Sequence, residues 1–253
     1  INLSATNVGN ATQSNQFKIL LDADFPKMYL IESKDPAKLT GVLFGAPMGI
    51  NKTSSYNFNA VYYAAAVNSK IWFIPGKTTL KPFMYGIDPQ NNFKLSGDYA
   101  KAQPVILPNI GYYTIAFNTL NLTYSVTPMP APDPAGAFPQ TALVGRGFFD
   151  FPNMSWQNAL PNIILLDKDP INPYLFTKTV KVGTPPGSTY TTTQFIITTN
   201  NGWTNFWRFD NATSPNYTVF GGGANTDIPI TSTPVTYKVT FDSYTNQCKF
   251  ESQ

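Results

Sequence analysis

Tyr113-Thr-Ile-Ala-Phe-Asn-Thr-Leu-Asn-Leu-Thr-Tyr-Ser-Val126 and Tyr237-Lys-Val-Thr-Phe-Asp-Ser-Tyr-Thr-Asn-Gln-Cys-Lys-Phe250 are two copies of one pattern. Each runs Tyr-x-aliphatic-x-Phe, then Asn or Asp, then a second alternating run with no gap. Side chains two apart along a strand share a face, so Tyr113, Ile115 and Phe117 point one way, as do Tyr237, Val239 and Phe241. Asn118-Thr119 and Asp242-Ser243 read as short turns, because these side chains bond nearby backbone amides. The returning strands are then expected to bury Leu120, Leu122, Tyr124 and Val126 in one copy, and Tyr244, Cys248 and Phe250 in the other. Each copy is a β-hairpin that closes a unit.

Between the copies lies Thr127-Pro-Met-Pro-Ala-Pro-Asp-Pro-Ala-Gly-Ala-Phe-Pro139, whose prolines lack amide donors and cannot sit inside a sheet. It reads as an extended, semi-rigid linker over 128–138, separating units at 26–127 and 139–253. The beginnings of the units match as well: Lys27-Met-Tyr-Leu-Ile31 and Thr141-Ala-Leu-Val-Gly145 are short apolar strands, each followed by a long Pro/Gly/Asn loop. In the middle, Tyr56 to Val67 and Lys70 to Ile74 parallel Leu175 to Val182 and Thr191 to Thr199 with Phe206 to Phe209. β-Branched and aromatic residues dominate these runs, and no helical period exceeds about two turns; Asp98 to Ala102 fits a single turn. The fold class this predicts is all-β: two tandem immunoglobulin-like or carbohydrate-binding-module-like β-sandwiches. Residues 1–25 read as an N-terminal extension or the remnant of a preceding domain, with Phe17-Lys-Ile-Leu-Leu21 as a strand candidate.

Composition narrows the chemistry. Of 253 residues, 42% are hydrophobic and 15% aromatic, but only 12% are charged, against about 25% in an average globular protein. Lys plus Arg is 17 and Asp plus Glu is 14, a net charge of +3 with no histidine. The lack of histidine excludes His-dependent triads, His general bases and most zinc sites. Only Arg146 and Arg208 are arginines, a poor footprint for nucleic acid. Glutamate occurs only at Glu32 and Glu251, and the lone Cys248 permits no internal disulfide. The Asp22/Asp24 and Asp167/Asp169 pairs lack the further ligands of a calcium loop and read as turn caps. No apolar run approaches the roughly 18 residues that span a membrane. No enzyme activity, cofactor or metal is expected.

The four tryptophans are the remaining candidates. Trp156 lies in the Pro- and Asn-containing stretch Phe151 to Asn158, and Trp203 in Asn200-Asn-Gly-Trp-Thr-Asn205, both turn-like and expected at the surface. Trp207 alternates with Arg208 and Phe209 on a strand, and Trp72 lies in the matching strand of the first half. Indole planes beside amide and basic side chains suit a sugar, whose C–H face stacks on the ring while its hydroxyls ask for polar partners. In a β-sandwich, tryptophan is more often core. Arg208 has two readings, a sugar contact or a surface salt bridge with Asp210; Lys77 and Lys81 occupy the comparable place in the first half, as ligand contacts or as solvated lysines.

Val144-Gly145 after the first strand, a tryptophan in the following loop, Phe195-Ile-Ile-Thr-Thr-Asn-Asn-Gly-Trp203 and the closing Tyr-x-Val-x-Phe hairpin resemble the SusE/SusF family. These are outer-membrane, starch-binding lipoproteins of Bacteroidetes glycan-uptake systems. The resemblance implies non-catalytic binding of a polysaccharide at the outer-membrane surface, through Trp203 and Trp156 with polar contacts from Arg208, Asn201 and Asn205. It also implies uptake-complex proteins as partners and a membrane link only through a lipid anchor, whose cysteine this chain lacks, as expected of a trimmed mature chain. The first half departs from the pattern. It has Glu32-Ser-Lys-Asp35 after its first strand, and Asn68-Ser-Lys70 where the second half has Asn201-Gly-Trp203, which suits a spacer. The competing class is a structural or protein-interaction module, such as an adhesin, a pilus-like subunit or an uptake-channel partner.

Overall fold

The computed structural model describes residues 2–6, 12–16, 23–40, 43, 48–199, 202–213, 215 and 217–253. A hairpin of β1 (Asn2–Thr6) and β2 (Thr12–Gln16) forms a two-stranded sheet. The expected strand at Phe17–Leu21 lies outside the described residues.

The first module comprises β3 (Met28–Ile31), α1 (Pro36–Thr40), β4 (Met48–Ser54), β5 (Asn57–Ala64), β6 (Ser69–Ile74), β7 (Phe83–Asp88), β8 (Asn91–Asp98), β9 (Val105–Leu107), β10 (Gly111–Asn118) and β11 (Thr123–Pro128). The second comprises β12 (Thr141–Arg146), β13 (Ile163–Lys168), β14 (Leu175–Val182), β15 (Thr192–Thr199), β16 (Gly202–Phe209), β17 (Thr218–Phe220), β18 (Ile228–Pro229), β19 (Val235–Asp242) and β20 (Gln247–Ser252). Strand order is β11-β10-β5-β4-β3-β6-β7-β8 with β9 beside β6, and β20-β19-β14-β13-β12-β15-β16-β17 with β18 beside β15. The two paths correspond strand for strand, so the halves share one all-β topology. Each sheet folds over at a corner strand that belongs to both layers: β4 pairs with β3 through Met48–Ile50 and with β5 from Asn51, and β13 pairs with β12 through Ile163–Leu166 and with β14 from Asp167.

Aromatic rings from opposing layers fill each sandwich. Phe117 of β10 stacks on Phe58 of β5 at 5.3 Å and reaches Phe73 of β6 at 4.3 Å. In the second module Trp207 of β16 meets Phe241 of β19 edge-on at 5.0 Å, and Phe195 of β15 meets Phe250 of β20 at 5.2 Å. Such pairs contribute beyond their area.

The closing hairpins form where the sequence places them, but their turns are longer. The Asn118 carboxamide oxygen accepts the amides of Leu120 and Asn121, at 2.9 and 2.7 Å, and the Asp242 carboxylate accepts those of Tyr244 and Thr245, at 2.9 and 3.2 Å. The fourth loop residue is then left-handed in both copies, Leu122 at φ 57° and Asn246 at φ 56°. Because this cap lengthens the turn to four residues, Leu120 is 58% exposed and Tyr244 also reaches solvent, against the expected burial. Cys248 and Phe250 are core, as expected.

Nor is the linker merely extended. Asp133 caps a one-turn 3-10 segment at Pro134–Gly136, and the Tyr174 hydroxyl donates to the Asp133 carbonyl at 2.6 Å. Phe138 packs edge-on against Trp207 at 5.2 Å, which docks the linker on the second module. The modules also touch directly. The Asn172 amide donates to the Tyr112 hydroxyl at 3.0 Å, which donates to the Asp242 carboxylate at 3.2 Å, with Tyr63 and Tyr244 against the Tyr112 ring. Lys249 bridges Glu32 of the first module and Glu251 of the second, at 3.3 and 3.1 Å. A linker alone would leave the modules free to swing; these contacts tie them.

Trp207→Ala empties the middle of the second core and is expected to cost about 3–5 kcal/mol in denaturant unfolding. Asp242 is 5% exposed, and burial lifts its carboxyl above the usual range against the pull of the Thr245 and Tyr244 amides. A raised native pKa means stability that is present below the unfolded carboxyl value, near 3.9, and lost as pH rises through the folded one. Asp242→Asn, which copies Asn118 of the other hairpin, should therefore gain on the wild type as pH rises from about 3 to 7 in paired urea titrations.

Candidate functional site

Register on β12, β15 and β16 decides which side chains face outward. Leu143 pairs with Ile197 and Ile197 with Trp207, and these three point into the sandwich. Their neighbours point the other way: Ala142, Val144, Ile163 and Ile196 form a second sealed cluster on the outer face, with Phe206 packed against it. Gly145, at φ 150°, sits where a Cβ would meet the Gln194 carbonyl oxygen at 2.0 Å, so only glycine lets β12 press this close to β15.

The loop from Gly147 to Asn162 wraps this face. Phe148 and Met154 anchor it in the core, and Asn158 ties it down. The Thr198 hydroxyl donates to the Asn158 side-chain oxygen at 3.2 Å, while the Asn158 amide donates to the Gly202 carbonyl. Beside Gly202 the sheet breaks step, because Thr198 lies opposite Phe206 but Thr199 lies opposite Gly202. Trp203, Thr204 and Asn205 are thus looped out as a wide bulge, a device that re-aims side chains. Asn158, two residues after Trp156, therefore clamps the Trp156 loop to the residue preceding Trp203. Both indoles remain open, Trp156 at 38% and Trp203 at 48% exposure.

Arg208 follows on the same outward row. Its guanidinium lies 5.0 Å from the Phe206 ring centroid. The salt bridge with Asp210 does not form: that carboxylate takes Lys27 at 3.5 Å and the Tyr217 amide at 3.3 Å. Arg146 is stacked likewise over Tyr190 at 4.8 Å. Asn205 is part of the bulge, its carbonyl accepting from the Thr199 hydroxyl at 3.5 Å, and Asn201 lies outside the described residues.

Other sequence candidates fall elsewhere. Trp207 is 1% exposed, with its indole N–H on the Asn246 side-chain oxygen at 2.8 Å; alternation turns it inward, so it cannot stack on a ligand. Trp72 is 7% exposed and donates to the Ala102 carbonyl at 3.3 Å, within a second apolar cluster that α1 and Tyr99 help to close. It too is structural. The pairing of Ile31 with Trp72 matches that of Val144 with Ile196, and Tyr85 matches Trp207. Gly86 therefore stands where the second module has Arg208, and a Cβ there would lie 2.9 Å from the Trp72 indole and 2.2 Å from the Gln103 carbonyl oxygen. The modules fill the same space in opposite ways, one with Trp72 over Gly86, the other with Arg208 over Phe206.

Lys77 lies in the loop between β6 and β7, the topological partner of the loop between β15 and β16. That correspondence replaces the match of Asn68-Ser-Lys70, which opens β6, with Asn201-Gly-Trp203. The Lys77 amine donates to the Pro215 carbonyl of the other module, and its burial there pushes its pKa down to about 8. It is an inter-module contact, neither a solvated lysine nor part of the tryptophan face. Lys81 lies over the Tyr99 ring at 5.1 Å, on the first module. Asn158 is the site residue that sequence reasoning missed; nothing local distinguishes it from the other loop asparagines, since its partners are some forty positions away.

No protein-family model and no curated protein matches the chain. Among solved structures it is similar to SusF from Bacteroides thetaiotaomicron, with a TM-score of 0.31 and 13% identity. The match covers 100% of this chain and 56% of the SusF chain, so the chain spans little more than half of that protein. The functional reading rests on the site itself.

Asn158→Ala should release both loops. The expected outcome is a loss of about 1–3 kcal/mol in chemical unfolding, together with stronger acrylamide quenching of native tryptophan fluorescence. An unchanged quenching constant would remove the clamp from this description.

Proposed function

We propose that the second module is a non-catalytic glycan-binding module. The observation that carries this reading is the pair of open indoles, Trp156 and Trp203, on loops that a buried asparagine holds together. A solvated indole costs side-chain burial that a folded module could otherwise gain, and a pyranose C–H face covers such a ring well. Asn205 supplies a carboxamide for hydroxyls beside Trp203. Binding by stacking needs no ionisable pair, which suits a chain that is 12% charged and has no histidine. The family resemblance read from the sequence extends the proposal to a starch-type α-glucan or a related polysaccharide, captured at a bacterial outer-membrane surface beside uptake-complex proteins.

Affinity electrophoresis and calorimetry against a panel of soluble polysaccharides test the reading. At least one glycan should retard the wild-type chain, and Trp156→Ala and Trp203→Ala should each weaken that affinity about tenfold, roughly 1.4 kcal/mol. Failure of every glycan to bind would hand the open indoles to the protein-interaction reading.

A further inference from the structure

We infer that the glycan face is built for acidic sugars, with Arg208, supported by Arg146, taking a carboxylate or sulfate group. This deepens the glycan-binding reading and rests on it. Ion pairs among the described residues are made by lysines, as in Lys27–Asp210, Lys178–Asp167 and Lys249–Glu32. Among these residues Arg146 and Arg208 make none. Each instead has its guanidinium carbon over an aromatic ring, Arg208 over Phe206 and Arg146 over Tyr190, and each has its Nε buried without an acceptor. A guanidinium held over a ring keeps its charge and its planar fork of donors.

Each Nε is sealed, so a ligand meets the Nη amines, and the complement of such a planar pair of donors is a two-oxygen anion. The surrounding charges permit this. Asp210 is turned away to Lys27, and Asp227, the carboxylate acting on Arg146, is held by the Gln194 amide at 3.0 Å. Arg208 shares its outward row with Phe206, which lies opposite Thr198, the residue bonded to Asn158 of the tryptophan clamp. The fork therefore lies on the sheet face that Asn158, the residue holding the two tryptophan segments together, reaches through Thr198. The net charge of +3 favours the approach of a polyanion.

Polygalacturonate, its fully methyl-esterified form and chondroitin sulfate separate the possibilities, with affinity measured by calorimetry on the full chain. The wild type should bind at least one acidic polymer more than about tenfold tighter than the esterified one, and the polymer preferred identifies carboxylate or sulfate. Arg208→Gln should lower the acidic-to-neutral ratio about tenfold, and Arg208→Lys, which keeps charge but loses the fork, should lower it by less. Unfolding midpoints close to wild type show that both variants fold. Equal binding of acidic and esterified polymers, or a ratio unmoved by Arg208→Gln, overturns the inference and leaves glycan binding standing. No binding to any polymer, neutral ones included, overturns both.

Discussion

The register between β15 and β16 is the constraint on which the rest of the site depends. A strand shifted by one residue presents its other face. Here the shift is forbidden by Trp207, whose ring fills the second core against Phe241 and Phe138 while its N–H reaches Asn246. With Trp207 held inward, Phe206 and Arg208 must face out. The mismatch between this register and that of Thr199 with Gly202 must be absorbed between them, and it is absorbed by expelling Trp203 to Asn205. One buried tryptophan thus determines how another is exposed.

The duplicated fold shows how such a face is gained or lost without a change of topology. Both modules have a main sandwich core and a smaller apolar cluster on the outer side of the β3/β6 or β12/β15 pair. In the first module Trp72 fills that outer space, which requires Gly86 beside it. In the second, Ile196 is smaller, and the neighbouring position carries Arg208. The modules then diverge accordingly: the first turns Lys77 toward its partner module, whereas the second holds Gly202, at the start of β16, against Asn158. The repeat preserves the fold; its outer faces serve different ends.

Much of this was legible in the chain. Alternation in Tyr113–Phe117 and Tyr237–Phe241 marks strands because each has one face in the core, and the Pro and Asn content around Trp156 marks a loop; the turn-like Asn-Gly stretch at Trp203 instead opens β16, where it forms the bulge. Trp72 was harder to read. Ile71 to Ile74 is buried on both faces, so alternation carries no signal there and a core indole looks like any other. The turn lengths depend on single side-chain caps at Asn118 and Asp242, and a cap shifts the phase of everything after it. Asn158, Lys77 and Tyr112 act through partners distant in sequence, for which a single chain offers no local pattern.

The division of the four tryptophans into two open and two sealed indoles is the claim from which the function follows. Oxidation with limiting N-bromosuccinimide under native conditions, followed by peptide mass mapping, measures it directly. Trp156 and Trp203 should be modified first, with Trp72 and Trp207 intact until the protein unfolds. Early oxidation of Trp207 or Trp72, or protection of Trp203 in the free protein, would contradict the account.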